Sequence, residues 1–194
     1  SATGEKAAGG GDVELNVLND QGEFVSQSIQ VASTGSISER YTAVESLSNG
    51  NFVVAFSKYN GHEQDGGSAY DLYAKIYDGT GSLVSDIGQV NQVDLANQDQ
   101  PDIIPLGDNS FIIAFRSDAE TPNPLTSAYS KVYGRRYDND GNAYGGEFQI
   151  NNSDIARAPS NQEPPALLFD EANGRLLTVF TTSENGQDIA VNSM

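Results

Sequence analysis

Asn49-Gly50-Asn51-Phe52-Val53-Val54-Ala55-Phe56 reads as a turn followed by a continuous apolar run. The same phrase returns as Gly107-Asp108-Asn109-Ser110-Phe111-Ile112-Ile113-Ala114-Phe115, and again as Asn173-Gly174-Arg175-Leu176-Leu177-Thr178-Val179-Phe180. A short apolar run bounded by turn residues suits a strand buried on both faces. Two other markers keep the rhythm. Gln30-Val31, Gln89-Val90-Asn91 and Gln149-Ile150-Asn151 stand 59 and then 60 positions apart. Asn19-Asp20-Gln21-Gly22, Asp78-Gly79-Thr80-Gly81 and Asp138-Asn139-Asp140-Gly141 supply the punctuation. A period of this size means one supersecondary unit used repeatedly.

The unit is built of strands. Val13-Glu14-Leu15-Asn16-Val17 alternates apolar and polar residues, as a half-buried strand does, and Tyr73–Tyr77 and Tyr133–Tyr137 take the equivalent slot. In the middle copy Tyr73–Tyr77, Ile87–Asn91, Asp102–Pro105 and Phe111–Phe115 are the four expected strands. A single helical turn is allowed within 160–172, where Pro164-Pro165 prevents more. The predicted fold class is therefore all-β, with three repeats of roughly 60 residues and about four antiparallel strands each, in a propeller-like, sandwich or prism arrangement. Residues 1–11, rich in glycine, read as a linker, and 12–194 as one β domain. Its repeats are placed at about 12–70, 71–129 and 130–187, with 188–192 as a closing strand that completes the sheet begun at Val13. The ends suggest a monomeric module cut from a longer chain.

Charge and composition narrow the partners. The 194 residues carry 27 acids against 10 bases, a net charge of −17. Such a chain repels nucleic acid and anionic membrane surfaces. Hard carboxylate oxygens favour calcium as the counter-ion. There is no cysteine, which removes disulfides, thiolate chemistry and cysteine-based metal sites. No stretch approaches the roughly 20 apolar residues of a membrane-spanning helix.

The segments that follow the central runs differ most between copies, and loops that differ on a common scaffold carry function. They supply the candidate calcium ligands Glu63 and Asp65, and Asp118 and Glu120. Asp99 with Asp102, and Asp138 with Asp140, are two further candidate sets. Asp138 and Asp140 also fit an Asx turn closing a hairpin, and Gln149 stands where a calcium loop of the EF-hand type needs its last glutamate. Tyr59, Asn60, Tyr129 and Tyr133, at or beside the same loops, are the candidate ligand-binding residues, tyrosine being rigid, flat and amphipathic. His62, the one histidine, lies in a loop and reads as solvated. No nucleophile elbow, phosphate loop or zinc motif occurs, so the sequence reading is that the chain is not an enzyme.

Tyr137-Asp138, Gly145-Gly146-Glu147-Phe148-Gln149-Ile150-Asn151, Gln162-Glu163-Pro164-Pro165 and Gly50-Asn51-Phe52-Val53-Val54-Ala55-Phe56 together form a pattern. It resembles the repeats of giant RTX-type bacterial adhesins, and the chain as a whole resembles their calcium-dependent peptide-binding domain. The resemblance implies an extracellular cell-surface module that binds several calcium ions and holds the free C-terminus of a host surface protein. A calcium-dependent carbohydrate-binding module and a calcium-rigidified spacer are the alternatives. The first copy departs from the pattern: Ala32 follows Gln30-Val31 where the others have asparagine, and no proline stands near Tyr41.

Overall fold

The structure is a computed structural model and describes residues 11–33, 38–60, 70–94, 96–118, 129–151, 155–156, 166–182 and 188–193. Glu63, Asp65, Glu120 and His62 lie outside the described residues.

The described residues hold strands and turns and no helix, hence none long and apolar enough to cross a membrane. The strands are β1 (Val13–Leu15), β2 (Ile29–Ala32), β3 (Glu39–Ser46), β4 (Phe52–Tyr59), β5 (Tyr70–Tyr77), β6 (Leu83–Gln89), β7 (Gln98–Leu106) and β8 (Ser110–Ser117). They continue as β9 (Tyr129–Asp138), β10 (Phe148–Gln149), β11 (Ile155–Ala156), β12 (Ala166–Asp170), β13 (Arg175–Thr182) and β14 (Asp188–Ser193). β1 pairs with β2, and β3-β4-β5-β6 make a four-stranded antiparallel sheet. The same order recurs as β7-β8-β9-β10 and, in part, as β12-β13-β14, with the short β11 bridging β9 and β13.

All-β architecture is as expected, but the phase differs. Each sequence repeat spans two sheets, giving the last two strands of one and the first two of the next. The repeat placed at 71–129 holds β5 and β6 of one sheet and β7 and β8 of another. The expected closing strand is also corrected: β14 pairs with β13, from Leu177↔Ser193 to Thr182↔Asp188, rather than joining the sheet of Val13. Within 166–172 there is strand and turn, not helix.

Alternation along the second strand of each sheet explains the stacking. On β8, Phe111, Ile113 and Phe115 enter one core with Val53, Ala55, Leu72 and Ile76 of the preceding sheet. Ile112 and Ala114 enter another with Val132, Ile150 and Leu176. On β4, Val54 and Phe56 meet Val13 and Val31 of β1 and β2. Side chains two apart share a face, so an unbroken apolar run serves two cores at once. The first strands of the sheets lie side by side: β7 rests against β3 and against β12.

The punctuation forms Asx turns. Asp78 Oδ1 accepts N–H bonds from Thr80 and Ser82, both at 2.9 Å. Asp138 Oδ1 accepts from Asp140 and Asn142 at 3.0 and 2.8 Å. Asn19 Oδ1 accepts from Gln21 and Glu23 in the first copy. The closing glycine is obligatory where the turn abuts the previous sheet. Gly81, at φ 88°, would place a Cβ 2.2 Å from Ile29 Cδ1, and Gly141, at φ 90°, would place one 2.9 Å from Ile87. The bonds hold both turn carboxyls below the usual range: the Thr80 hydroxyl leads for Asp78, and the Asn142 amide for Asp138. A carboxyl with a lowered folded pKa adds stability above its unfolded value of about 3.9, and that stability is lost as pH falls through the lowered value. Side-chain carboxyl titration by NMR should place both below ordinary aspartate; titration at the ordinary value would remove these bonds from the account.

Candidate functional site

Where the chain leaves β4 and β8, the neighbouring first strands β3 and β7 each carry a bulge. One falls between Arg40 and Thr42 and one between Asp99 and Asp102. The residues thrown out of register are Tyr41 at φ 50° and Gln100 at φ 54°, both in the left-handed region that costs a side chain strain. A bulge re-aims the side chains beside it. Here it brings Arg40 of one sheet to Asp99 of the next.

Four charged side chains meet at this corner. Asp99 is fully buried; its Oδ2 lies 3.2 Å from Arg40 Nη2 and its Oδ1 3.0 Å from Arg116 Nη2. Arg116 Nε is 3.9 Å from Asp118 Oδ1. Asp118 is also fully buried, and takes hydrogen bonds from the Ser130 hydroxyl and, at 3.3 Å, from Asn97 Nδ2. Burial pushes the Asp99 carboxyl above its usual range, against the opposing pull of Arg116 and Arg40. Arg40 is the member that reaches solvent, its side chain 36% exposed. Its guanidinium lies 3.5 Å from the centre of the Tyr70 ring and 4.6 Å from that of Tyr41, and Tyr41 is itself exposed. Among the described residues, two arginines and two aspartates alternate here.

Asparagine at the end of each Gln-x-Asn marker ties the strands beneath this end. Asn91 Oδ1 accepts the Leu72 N–H and Asn151 Oδ1 the Val132 N–H, each at 2.8 Å. Asn91 Nδ2 also donates to Asp71 Oδ1 at 2.8 Å, and Asn60 donates to the other Asp71 oxygen.

The sequence candidates distribute as follows. Asp99 and Asp118 are brought together with Arg116 between them. Asp102 faces the third sheet, accepting N–H bonds from Ile103 at 3.0 Å and Leu167 at 2.9 Å. Asp138 and Asp140 stand in their Asx turn. Among the described residues no three Asp, Glu, His or Cys side chains come together as a metal cage. Tyr59 packs edge-to-face on Tyr70 with ring centres 5.5 Å apart, next to the corner. Tyr129 opens β9, opposite Ala156. Tyr133 packs half-buried against the core, stacked on Phe115 at 6.4 Å. The sequence reading missed Arg40, Tyr41 and Arg116. A signal existed: Arg40 and Asp99 are 59 positions apart, one repeat period, so opposite charges occupy the same phase of adjacent copies.

No protein-family model matches the chain, and no curated protein matches it in sequence. Solved structures do match in fold. An N-acetylgalactosamine deacetylase from F. plautii, in complex with blood group B trisaccharide, superposes with a TM-score of 0.52 at 9% identity, covering 90% of this chain and 56% of that one. A family 117 glycoside hydrolase of the marine bacterium Zobellia galactanivorans gives 0.51 at 11% identity, over 81% of this chain and 52% of that one. The GH93 α-L-arabinofuranosidase of Fusarium graminearum, in complex with arabinobiose, gives 0.52 at 12% identity, over 94% and 67%. The chain thus spans little more than half the length of the first two. The likeness is one of fold, that of β-propellers, which resolves the choice among propeller, sandwich and prism. It also overturns the sequence reading that the chain is not an enzyme. Every one of these structures is a carbohydrate-active enzyme, so the lack of a short catalytic motif does not set a chain of this fold outside catalysis.

Proposed function

We propose that the chain is an extracellular ligand-binding module of a bacterial surface adhesin, and that its Arg40 corner takes the free carboxylate of a peptide C-terminus from a host surface protein. The observation that carries this reading is the state of Arg40. Its guanidinium is fixed by Asp99 and by two tyrosine rings, yet keeps an edge in solvent. Its Nε is buried and has no hydrogen-bond partner among the described residues, and its Nη2 is held by Asp99. A guanidinium offers five donors in a planar fork that matches a carboxylate with two parallel bonds. Holding the fork in place beforehand removes part of the entropy cost of binding. A carboxylate on a sugar would satisfy the same fork, and the glycan-handling structures of this fold favour that second reading.

Paired peptides, acid and amide, titrated in calcium buffer test the first reading. Amidation removes the charge and one acceptor, and affinity should fall about tenfold, or 1.4 kcal/mol. Arg40→Ala should cost the acid peptide at least as much and the amide little. Equal affinities for the pair would exclude C-terminal capture, and competition by an acidic oligosaccharide would move the reading to glycan.

Calcium belongs to this proposal through Glu63, Asp65 and Glu120, in the segments joining β4 to β5 and β8 to β9. The described carboxylates do not fit a calcium cage, since guanidinium groups or N–H donors occupy Asp99, Asp102, Asp118 and Asp138. An ion bound only by the folded state raises stability by mass action. Melting should therefore shift upward between chelator and millimolar calcium; coincident curves would remove calcium from the reading.

A further inference from the structure

The first copy's departure from the repeat pattern, Ala32-Ser33 where the second has Asn91-Gln92, changes the space between sheets. Adjacent sheets are clamped alike. Lys75 Nζ of β5 donates to Val31 O of β2 at 2.8 Å, and Arg135 Nη1 of β9 donates to Val90 O at 3.0 Å. The cation occupies the same repeat position in both cases and reaches the same point on the preceding sheet. Beside the second clamp the gap is shut. Glu147 N donates to Gln92 Oε1 at 2.8 Å, and Gln92 N donates to Glu147 in return. Beside the first clamp the position of Gln92 is held by Ser33, and that of Glu147 by Ile87, which packs against the core shared with the following sheet; Asp86 and Gly88 line the rim of the cleft. Neither Ser33 nor Ile87 can make this lock. A cleft of about 480 Å³ remains, lined by Gln30, Ser33, Lys58, Tyr73, Lys75 and Asp86 among others.

Its walls have a definite chemistry. Lys75 is committed to Val31 and lies 3.8 Å from Asp86. Lys58 lies over the Tyr73 ring at 5.4 Å and forms no ion pair among the described residues. The position of Lys58 in the next copy is Ser117, so the open cleft has also gained a cation. Gln30 and Ser33 offer an amide and a hydroxyl, and Tyr73 an aromatic surface. Lys58 shares its side of β4 with Phe56, whereas Arg40 pairs toward the following sheet, so this cleft and the Arg40 corner lie on opposite faces of one sheet.

We infer that the cleft between β2 and β4-β5-β6 is a second binding site, for an acidic sugar unit of the uronate type, with Lys58 taking the carboxylate and Gln30 and Ser33 the ring hydroxyls. A compact ammonium answers a carboxylate, amide and hydroxyl groups answer sugar hydroxyls, and an aromatic wall answers the apolar face of a pyranose ring. The volume suits one or two sugar rings.

The test is an NMR titration of the whole chain with sodium glucuronate beside glucose. Glucuronate should move the resonances of Ser33, Lys58 and Tyr73, and glucose should not. Lys58→Gln should weaken glucuronate binding about fivefold or more, the scale of a partly solvated charge-assisted bond. Ala32→Asn with Ser33→Gln puts the second copy's larger side chains on the β2 wall of the cleft and, by filling it, should weaken binding at least fivefold with the fold unchanged by circular dichroism. Equal response to glucose, shifts confined to Tyr41 and Gln100, or undiminished binding in the doubly substituted chain would each overturn the inference.

Discussion

Replacing Asp99 with alanine is expected to lower the free energy of unfolding by about 3–5 kcal/mol, the usual cost of removing one partner from a buried ion pair. The carboxylate is fully buried between Arg40 and Arg116, and the Arg116 side chain is only 11% exposed. Truncation takes a counter-charge from Arg116, where water has little access, and from the partly exposed Arg40. It also cuts the tie between β3 and β7, and releases Arg40 from Tyr41 and Tyr70. Asp99→Ala should therefore lose peptide binding along with stability. Asp138→Ala, which removes only an Asx turn at the far end of the sheet, should leave binding intact. Chemical denaturation of the two variants decides it: an Asp99→Ala loss under about 1 kcal/mol would mean that the four charges are a solvated surface network.

Phe115→Ala should cost as much, about 3–5 kcal/mol, through lost apolar burial and the cavity it leaves. The ring is inaccessible to solvent, stacks on Tyr133, and belongs to the core that joins two sheets. Val44→Ala, at a site 61% exposed on β3, is the control and should cost less than about 1 kcal/mol. Similar losses for the two would show that adjacent sheets do not share a common core.

Strands could be read from the chain because their signals are local. The runs at Phe52, Phe111 and Leu176 became β4, β8 and β13, and the Asp-Gly markers became Asx turns with the glycines in the left-handed region. The grouping of strands into sheets could not be read that way. A period says how often a unit recurs, not where it begins, and a cut after β4 or after β6 gives the same spacing. The site was less legible. Asp99 drew notice as one acid among 27, in the company of Asp102. The bulge at Gln100 sends these two neighbours to different partners, Asp99 to arginines on both sides and Asp102 to the backbone of β12. That divergence depends on one backbone angle, which residue type alone does not announce. Tyr133 stands near a loop in sequence, but strand alternation packs it, half-buried, against Phe115.

The half-unit offset between repeat and sheet bears on how such a gene can change length. Excise residues 71–129, and β4 runs straight on to β9. The sheet β3-β4-β9-β10 then has all four strands, with each inherited segment in its accustomed place. Insertion of a copy heals in the same way. Unequal recombination between copies therefore alters the number of sheets by whole steps and leaves no orphaned strand edge to aggregate. Because one period carries four strands wherever it is cut, the exchange point can fall anywhere within the repeat and strand pairing stays complete.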